Sequence, residues 1–253
     1  MNWLFLRGLA RESGHWAGFP AAFESIVPNA RVHFLDLPGV GSESRRSSPV
    51  SISGIVDDLR GRWLSLRDEH EGDWAVCAIS LGGMVAMDWT ERFPDDWSHV
   101  VLMNTSARNL GRVWHRLTPN GMKMLSRSLL TGDLSARENT VLDVTTNMVE
   151  DRDSLVESWV QIAEERPVRK RVALRQVLAA TLYSAPASLK PPTLVLGGES
   201  DALVDIRCSK ELSRRLGVPF RGHPDAGHDL GTDAPGWASE QVRDWLSALK
   251  PEV

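Results

Sequence analysis

Two short stretches hold the residues best suited to covalent chemistry. In Ala78-Ile79-Ser80-Leu81-Gly82 a hydroxyl sits between two apolar runs, Trp74–Ile79 before it and Met84–Trp89 after it. At the corner where a buried strand turns into a packed helix, such a serine stands above the sheet. The N–H groups of the new helix then point at any charge developing there. Serine is a weak nucleophile without a base. Ala226-Gly227-His228-Asp229 offers one: of seven histidines, His228 alone is framed by glycine just beyond the last strand-like run. His223 reads as a strand-end residue, and His15, His33, His70, His99 and His115 as packing or surface residues. A neutral imidazole needs a carboxylate to fix its tautomer and stabilise its charged form. Asp201, in Gly197-Gly198-Glu199-Ser200-Asp201, is the leading candidate. Glu199 and Asp205 are the alternatives, more naturally solvated or structural. Taken alone, Ser80 also fits a tight turn without chemistry.

Acyl transfer also requires donors for an oxyanion. The backbone N–H of Leu81 is one candidate. The second is assigned to Leu9 in Arg7-Gly8-Leu9-Ala10, where glycine allows close approach. The side chains of Leu9 and Leu81 would then be walls of the substrate pocket, with ordinary core packing the alternative for Leu9.

These residues must be positioned by a scaffold, and the apolar pattern describes one. Runs resembling buried strands occur at 2–6, 31–36, 74–79, 99–104, 193–197 and 218–222, each followed by turn-forming residues. Helical patterns lie between them; Ser51 caps one in which Ile52, Ile55, Val56, Leu59, Trp63 and Leu66 recur every three or four residues. Alternation of this kind implies a parallel sheet covered on both faces. It breaks between 107 and 187, where four helical patterns follow one another without a strand. The expected organisation is a core of residues 1–106 and 188–253 with a helical cap, 107–187, inserted after the fourth strand. A separate helical domain is the alternative.

Composition narrows the class. A chain of 253 residues with 42% hydrophobic residues can bury one large core, and a net charge of −4 carries no electrostatic footprint for nucleic acid. Two cysteines, Cys77 and Cys208, make no disulfide framework and point to a reducing, cytoplasmic setting. The N-terminal run has neither the basic flank nor the small-residue cleavage site of a signal peptide, and no stretch is long enough to span a membrane. No metal-ligand spacing or phosphate-binding glycine loop is present, so no metal and no cofactor is expected.

Five motifs in order resemble the α/β-hydrolase superfamily across nearly the whole chain. "LFLRGLARESGHW" is similar to its oxyanion loop, "FLDLPGVGSE" to the loop after the next strand and "AISLGGMVA" to its nucleophile elbow. "PTLVLGGESDALVD" is similar to the acid loop and "DAGHDLGTDAPGW" to the histidine loop. The order Ser80, Asp201, His228 is the one this fold uses. The resemblance implies an α/β-hydrolase sheet of about six mostly parallel strands, lacking two leading strands common in the family. Two departures stand out: Ala78 replaces the first glycine of the elbow, and Arg7 replaces the histidine that usually buttresses the oxyanion loop.

Within the superfamily the layout resembles small bacterial carboxylesterases of the pimeloyl-carrier-protein methyl ester esterase type. It implies a serine esterase acting on a small-molecule ester through a Ser80–His228–Asp201 triad and an acyl-enzyme. A thioesterase or lyase with the same triad, or a low-turnover ligand-binding sensor, are the alternatives. Residues 107–187 carry 12 basic and 9 acidic side chains, with Arg166, Arg169, Lys170, Arg171 and Arg175 close together. They read either as a solvated helix face or as a positive face steering an acidic acyl carrier to the cap.

Overall fold

The computed structural model describes residues 1–249. Its six strands are β1 (Asn2–Leu6), β2 (Arg31–Phe34), β3 (Trp74–Ile79), β4 (His99–Met103), β5 (Thr193–Gly198) and β6 (Phe220–His223). They form one sheet in the order β2-β1-β3-β4-β5-β6, with every neighbouring pair parallel. This is the α/β-hydrolase architecture. Strands β1 and β3 match the apolar runs end to end. β2 stops two residues earlier than its run, because the Asp36 carboxylate turns back to accept the N–H groups of Ser13 and Ser42, both at 2.8 Å. β6 begins two residues later than its run.

The helices are α1 (Phe19–Ile26), α2 (Ile52–Asp68), α3 (Leu81–Arg92), α4 (Val113–Arg116), α5 (Pro119–Leu130), α6 (Leu134–Thr145), α7 (Arg152–Glu165), α8 (Lys170–Leu182), α9 (Arg207–Leu216), α10 (Leu230–Asp233) and α11 (Pro235–Leu249). Alternation along the strands divides the core in two. Leu4, Leu6, Val76, Ala78, Val100 and Leu102 point to the face covered by α2, α3 and α9. Trp3, Phe5, Ala75, Cys77, Val101 and Met103 point to the face covered by α1 and α11. Period-two side chains on strands buried from both sides explain why those runs read as continuously apolar. Ser51 caps α2 as expected, its hydroxyl accepting the N–H of Gly54 at 3.2 Å.

The chain leaves β1 for the edge strand β2 and returns to β3 on the other side of β1. Strand order therefore reverses between β1 and β3. In open parallel sheets this is where a crevice opens beyond the strands' C-terminal ends. Both candidate oxyanion loops emerge there.

Between β4 and β5 the chain makes five helices, α4 to α8, and no strand. Proline at 119 is the first residue of α5, where its missing N–H costs nothing. Thr118, Asp133 and Asp151 cap α5, α6 and α7, each accepting the N–H three residues on. The short α4 carries too few apolar positions to register as a period. Met148 lies past the end of α6, its N–H captured by Asp233 at 3.0 Å.

Candidate active site

The site is built on strand ends. β3 delivers Ser80 into φ 56°, ψ −119°, a left-handed conformation that a serine rarely adopts. Two hydrogen bonds and the start of a helix hold it there. Its N–H donates to the Met103 carbonyl at 3.0 Å, its carbonyl accepts from Thr105 Oγ1 at 2.7 Å, and α3 starts immediately after it. Gly82 permits the turn: a Cβ at that position would lie 2.3 Å from the Leu6 carbonyl oxygen. Ala78, the departure from the usual glycine, is fully buried in β3 between Leu6 and Leu102 of the flanking strands.

β5 and β6 deliver the other two groups. His228 Nδ1 lies 2.7 Å from Asp201 Oδ2, and both side chains are almost wholly shielded from solvent. Asp201 receives three further hydrogen bonds: from Asn104 Nδ2 at 2.9 Å, and from the N–H groups of Leu203 and Val204 at 2.8 and 2.9 Å. A carboxylate ringed by donors acts as an acceptor, so the proton of the His228 ring sits on Nδ1. Nε2 is left free as a base.

Ser80 and His228 line one cavity of about 410 Å³ together with Leu9 and Leu81. The N–H groups of Leu9 and Leu81 make no hydrogen bond among the described residues. The neighbouring N–H of Ala10, by contrast, is taken by Gln176 Oε1 of α8 at 2.9 Å. Gln176 is fully buried and ties the loop after β1 to the helical segment above it. That segment supplies most of the cavity's apolar wall, including Met124, Leu125, Leu129 and Val177.

The competing residues lie elsewhere. Glu199 pairs with Lys210 at 3.1 Å on the surface, and Asp205 pairs with Arg207. Neither touches His228. The two thiols are poor nucleophiles where they stand. Both are free and buried, and burial pushes the Cys208 thiol up to about 12.

Arg7 has a partner that local sequence could not reveal. Its guanidinium forms a two-pronged ion pair with Asp229 at 3.0 and 2.6 Å and lies over the Trp16 ring at 4.6 Å. Burial pushes the Asp229 carboxyl up, but the charge and hydrogen bonds of Arg7 outweigh it and hold the group below the usual value. Arg7 directly precedes Gly8 and Leu9, and Asp229 directly follows His228. The pair therefore straps the loop after β1 to the histidine loop. Asn104 was likewise hidden; its one signal is a left-handed φ of 43° at a strand end.

The basic cluster on the helical segment needs correction as a single free face. Arg166 pairs with the buried Glu12 at 2.8 and 2.7 Å. Arg169 donates to the carbonyls of Ser44 and Arg46, and Arg175 to that of Ser48. Three of the five are spent pinning the segment to the core, leaving Lys170 and Arg171. Among the described residues no cluster of side chains could hold a metal ion, and no helix is long and apolar enough to cross a membrane.

The family model for serine aminopeptidase S33 matches residues 4–233. The chain belongs to that family of α/β-hydrolases. Among its relatives, a pimeloyl-[acyl-carrier protein] methyl ester esterase from Nitrosospira multiformis is 24% identical, covering 88% of this chain and 89% of that one. A protein of the same name from Vibrio campbellii is 28% identical over 76% of this chain and 74% of its own. Similar solved structures include a thermophilic esterase from Thermogutta terrifontis, with TM-score 0.74 and 22% identity. Its alignment covers 98% of this chain and 90% of that one. An enol-lactonase from Burkholderia xenovorans gives 0.73 and 22%, over 97% and 91%.

Proposed function

We propose that this S33-family chain is a carboxylic ester hydrolase using Ser80 as nucleophile, His228 as general base and acid, and Asp201 as the group that orients the imidazole. The observation that carries this reading is the His228 Nδ1–Asp201 contact of 2.7 Å, which leaves Nε2 basic in the same cavity as a serine held in a strained elbow. The names of the relatives and the esterase among the solved neighbours support an ester as substrate.

The ester carbonyl enters the cavity beneath the helical cap, residues 107–187. Ser80 Oγ attacks its carbon while His228 Nε2 takes the hydroxyl proton. The carbonyl oxygen becomes an oxyanion held by the N–H groups of Leu9 and Leu81. Collapse breaks the bond to the alkoxide, which leaves with the proton from Nε2. Water, losing its proton to the same nitrogen, then attacks the acyl-serine, and a second collapse frees the acid and restores Ser80. Each step uses only groups of this chain, water and substrate.

A chromogenic ester series on the purified protein tests the reading. Turnover is expected for the native chain, with a loss of at least about a thousandfold in Ser80→Ala at unchanged folding. An alanine variant retaining a tenth of native turnover would remove Ser80 from the mechanism.

A further inference from the structure

The charge lining the cavity identifies a substrate class, resting on the esterase reading above. Glu138 of α6, 2% exposed, accepts from Arg11 Nη1 at 2.6 Å and from Arg137 Nε at 2.9 Å. Two guanidinium groups thus share one carboxylate. Arg11 Nη2 is buried without a hydrogen-bond partner, and its guanidinium lies over the Trp159 ring at 4.3 Å. Burial holds the Arg11 pKa below its ordinary value despite the opposing pull of Glu138. Its charge is incompletely compensated.

Two more cations line the same cavity. Arg116 donates only to the carbonyls of Ala180 and Thr181, and its Nε is buried without a partner. Lys170, exposed where α8 begins, has no carboxylate within ion-pair distance among the described residues. Against these stand Glu138 and Asp229, and Asp229 is committed to Arg7. Five cationic side chains and two carboxylates line the space, a surplus of three positive charges; Lys170 is exposed to solvent, whereas Arg11 and Arg116 each bury an unpartnered nitrogen beside largely apolar walls. In such surroundings a charge lacking a counterion is expensive, and a counterion supplied by a ligand is strongly favoured.

We propose that the natural substrate is an ester carrying a separate carboxylate, which docks against Arg11 and Arg137 after being drawn in past Lys170. The reacting carbonyl is itself uncharged, so the anion must be a second group of the molecule. It can sit on the acyl side, as in a half-ester of a dicarboxylic acid, or on the alcohol side, as in an acylated hydroxy acid.

Calorimetric titration of the Ser80→Ala protein tests this without requiring turnover, so its outcome is independent of whether the native chain hydrolyses esters. One arm uses monomethyl glutarate and monomethyl suberate, each against the same ester with its free acid converted to an amide. The other uses O-acetyl-lactate against O-acetyl-lactamide. In at least one arm the acid is expected to bind about tenfold or more tightly than its amide, a margin that shrinks as salt is raised. Arg137→Gln should cut that ratio several-fold while Arg137→Lys retains most of it. Lys170→Gln, at an exposed position that folding tolerates, should weaken it as well. Amides binding as tightly as acids in both arms would overturn the proposal, as would a ratio unmoved by both glutamine variants.

Discussion

Asp201 shows how much a single carboxylate can be asked to hold. Its two oxygens accept from an imidazole, an amide and two backbone N–H groups, and every one of these partners is a donor. An amide in its place would set one NH2 against that ring of donors and favour the wrong imidazole tautomer. Asp201→Asn is therefore expected to lower kcat by roughly a thousandfold or more. Glu199→Gln and Asp205→Asn, whose partners are surface lysine and arginine, should change kcat by less than about threefold. Steady-state kinetics on one ester decides, and a larger loss at 199 or 205 would move the acid. The meeting of Asp201 with His228 beside Ser80 was legible because each of the three sits in a short local pattern of small residues after an apolar run. Asn104 was not, since an asparagine ending a strand looks like any turn residue until its amide is seen 2.9 Å from Asp201.

At the scale of elements, the site depends on loops from different strands keeping their spacing. The Arg7–Asp229 pair joins the end of β1 to the loop after β6, across 222 residues of sequence. Both side chains are buried, so removing one partner strands the other charge. Arg7→Met should cost about 3–5 kcal/mol in unfolding free energy, and adding Asp229→Leu should recover much of it. Chemical denaturation of the native protein, the Arg7→Met and Asp229→Leu single variants and the double variant reads the coupling directly; a double variant as unstable as the sum of the singles would show the strap to be absent. The elements themselves were legible, because strands buried on both faces are continuous apolar runs and the helices between β4 and β5 keep a helical period. The ties between them were not. Arg11–Glu138, Glu12–Arg166 and Ala10–Gln176 join residues more than a hundred positions apart, and nothing in a local pattern marks an arginine as pinned rather than solvated.

For the whole molecule, the buried His15 and the partly buried His33 and His99 shape the response to acid. Burial lowers the pKa of His15, His33 and His99, and Arg11 and Arg7 lower that of His15 further. The unfolded chain binds protons at these rings near the ordinary value of about 6.5, while the folded chain binds them only at lower pH. Stability should accordingly decline as the pH falls below about 6.5. The Arg7–Asp229 contribution has the carboxylate sign: it is present above the ordinary Asp value and lost only as the pH falls through the depressed one. Urea midpoints across this range should fall first through the histidine region and again in stronger acid. His15→Gln should flatten the first decline, and an unchanged slope would remove His15 as a cause.

The central step of the proposed reaction is passage of an ester's acyl group through Ser80 Oγ. Mass spectrometry after exposure to a fluorophosphonate probe measures it most directly, since the probe reacts only with a serine activated by a neighbouring base. One phosphonyl adduct per chain is predicted, mapped to the peptide containing Ser80, abolished in Ser80→Ala and strongly slowed in Asp201→Asn. An adduct on any other residue, or an unlabelled native chain that still hydrolyses esters, would contradict the mechanism.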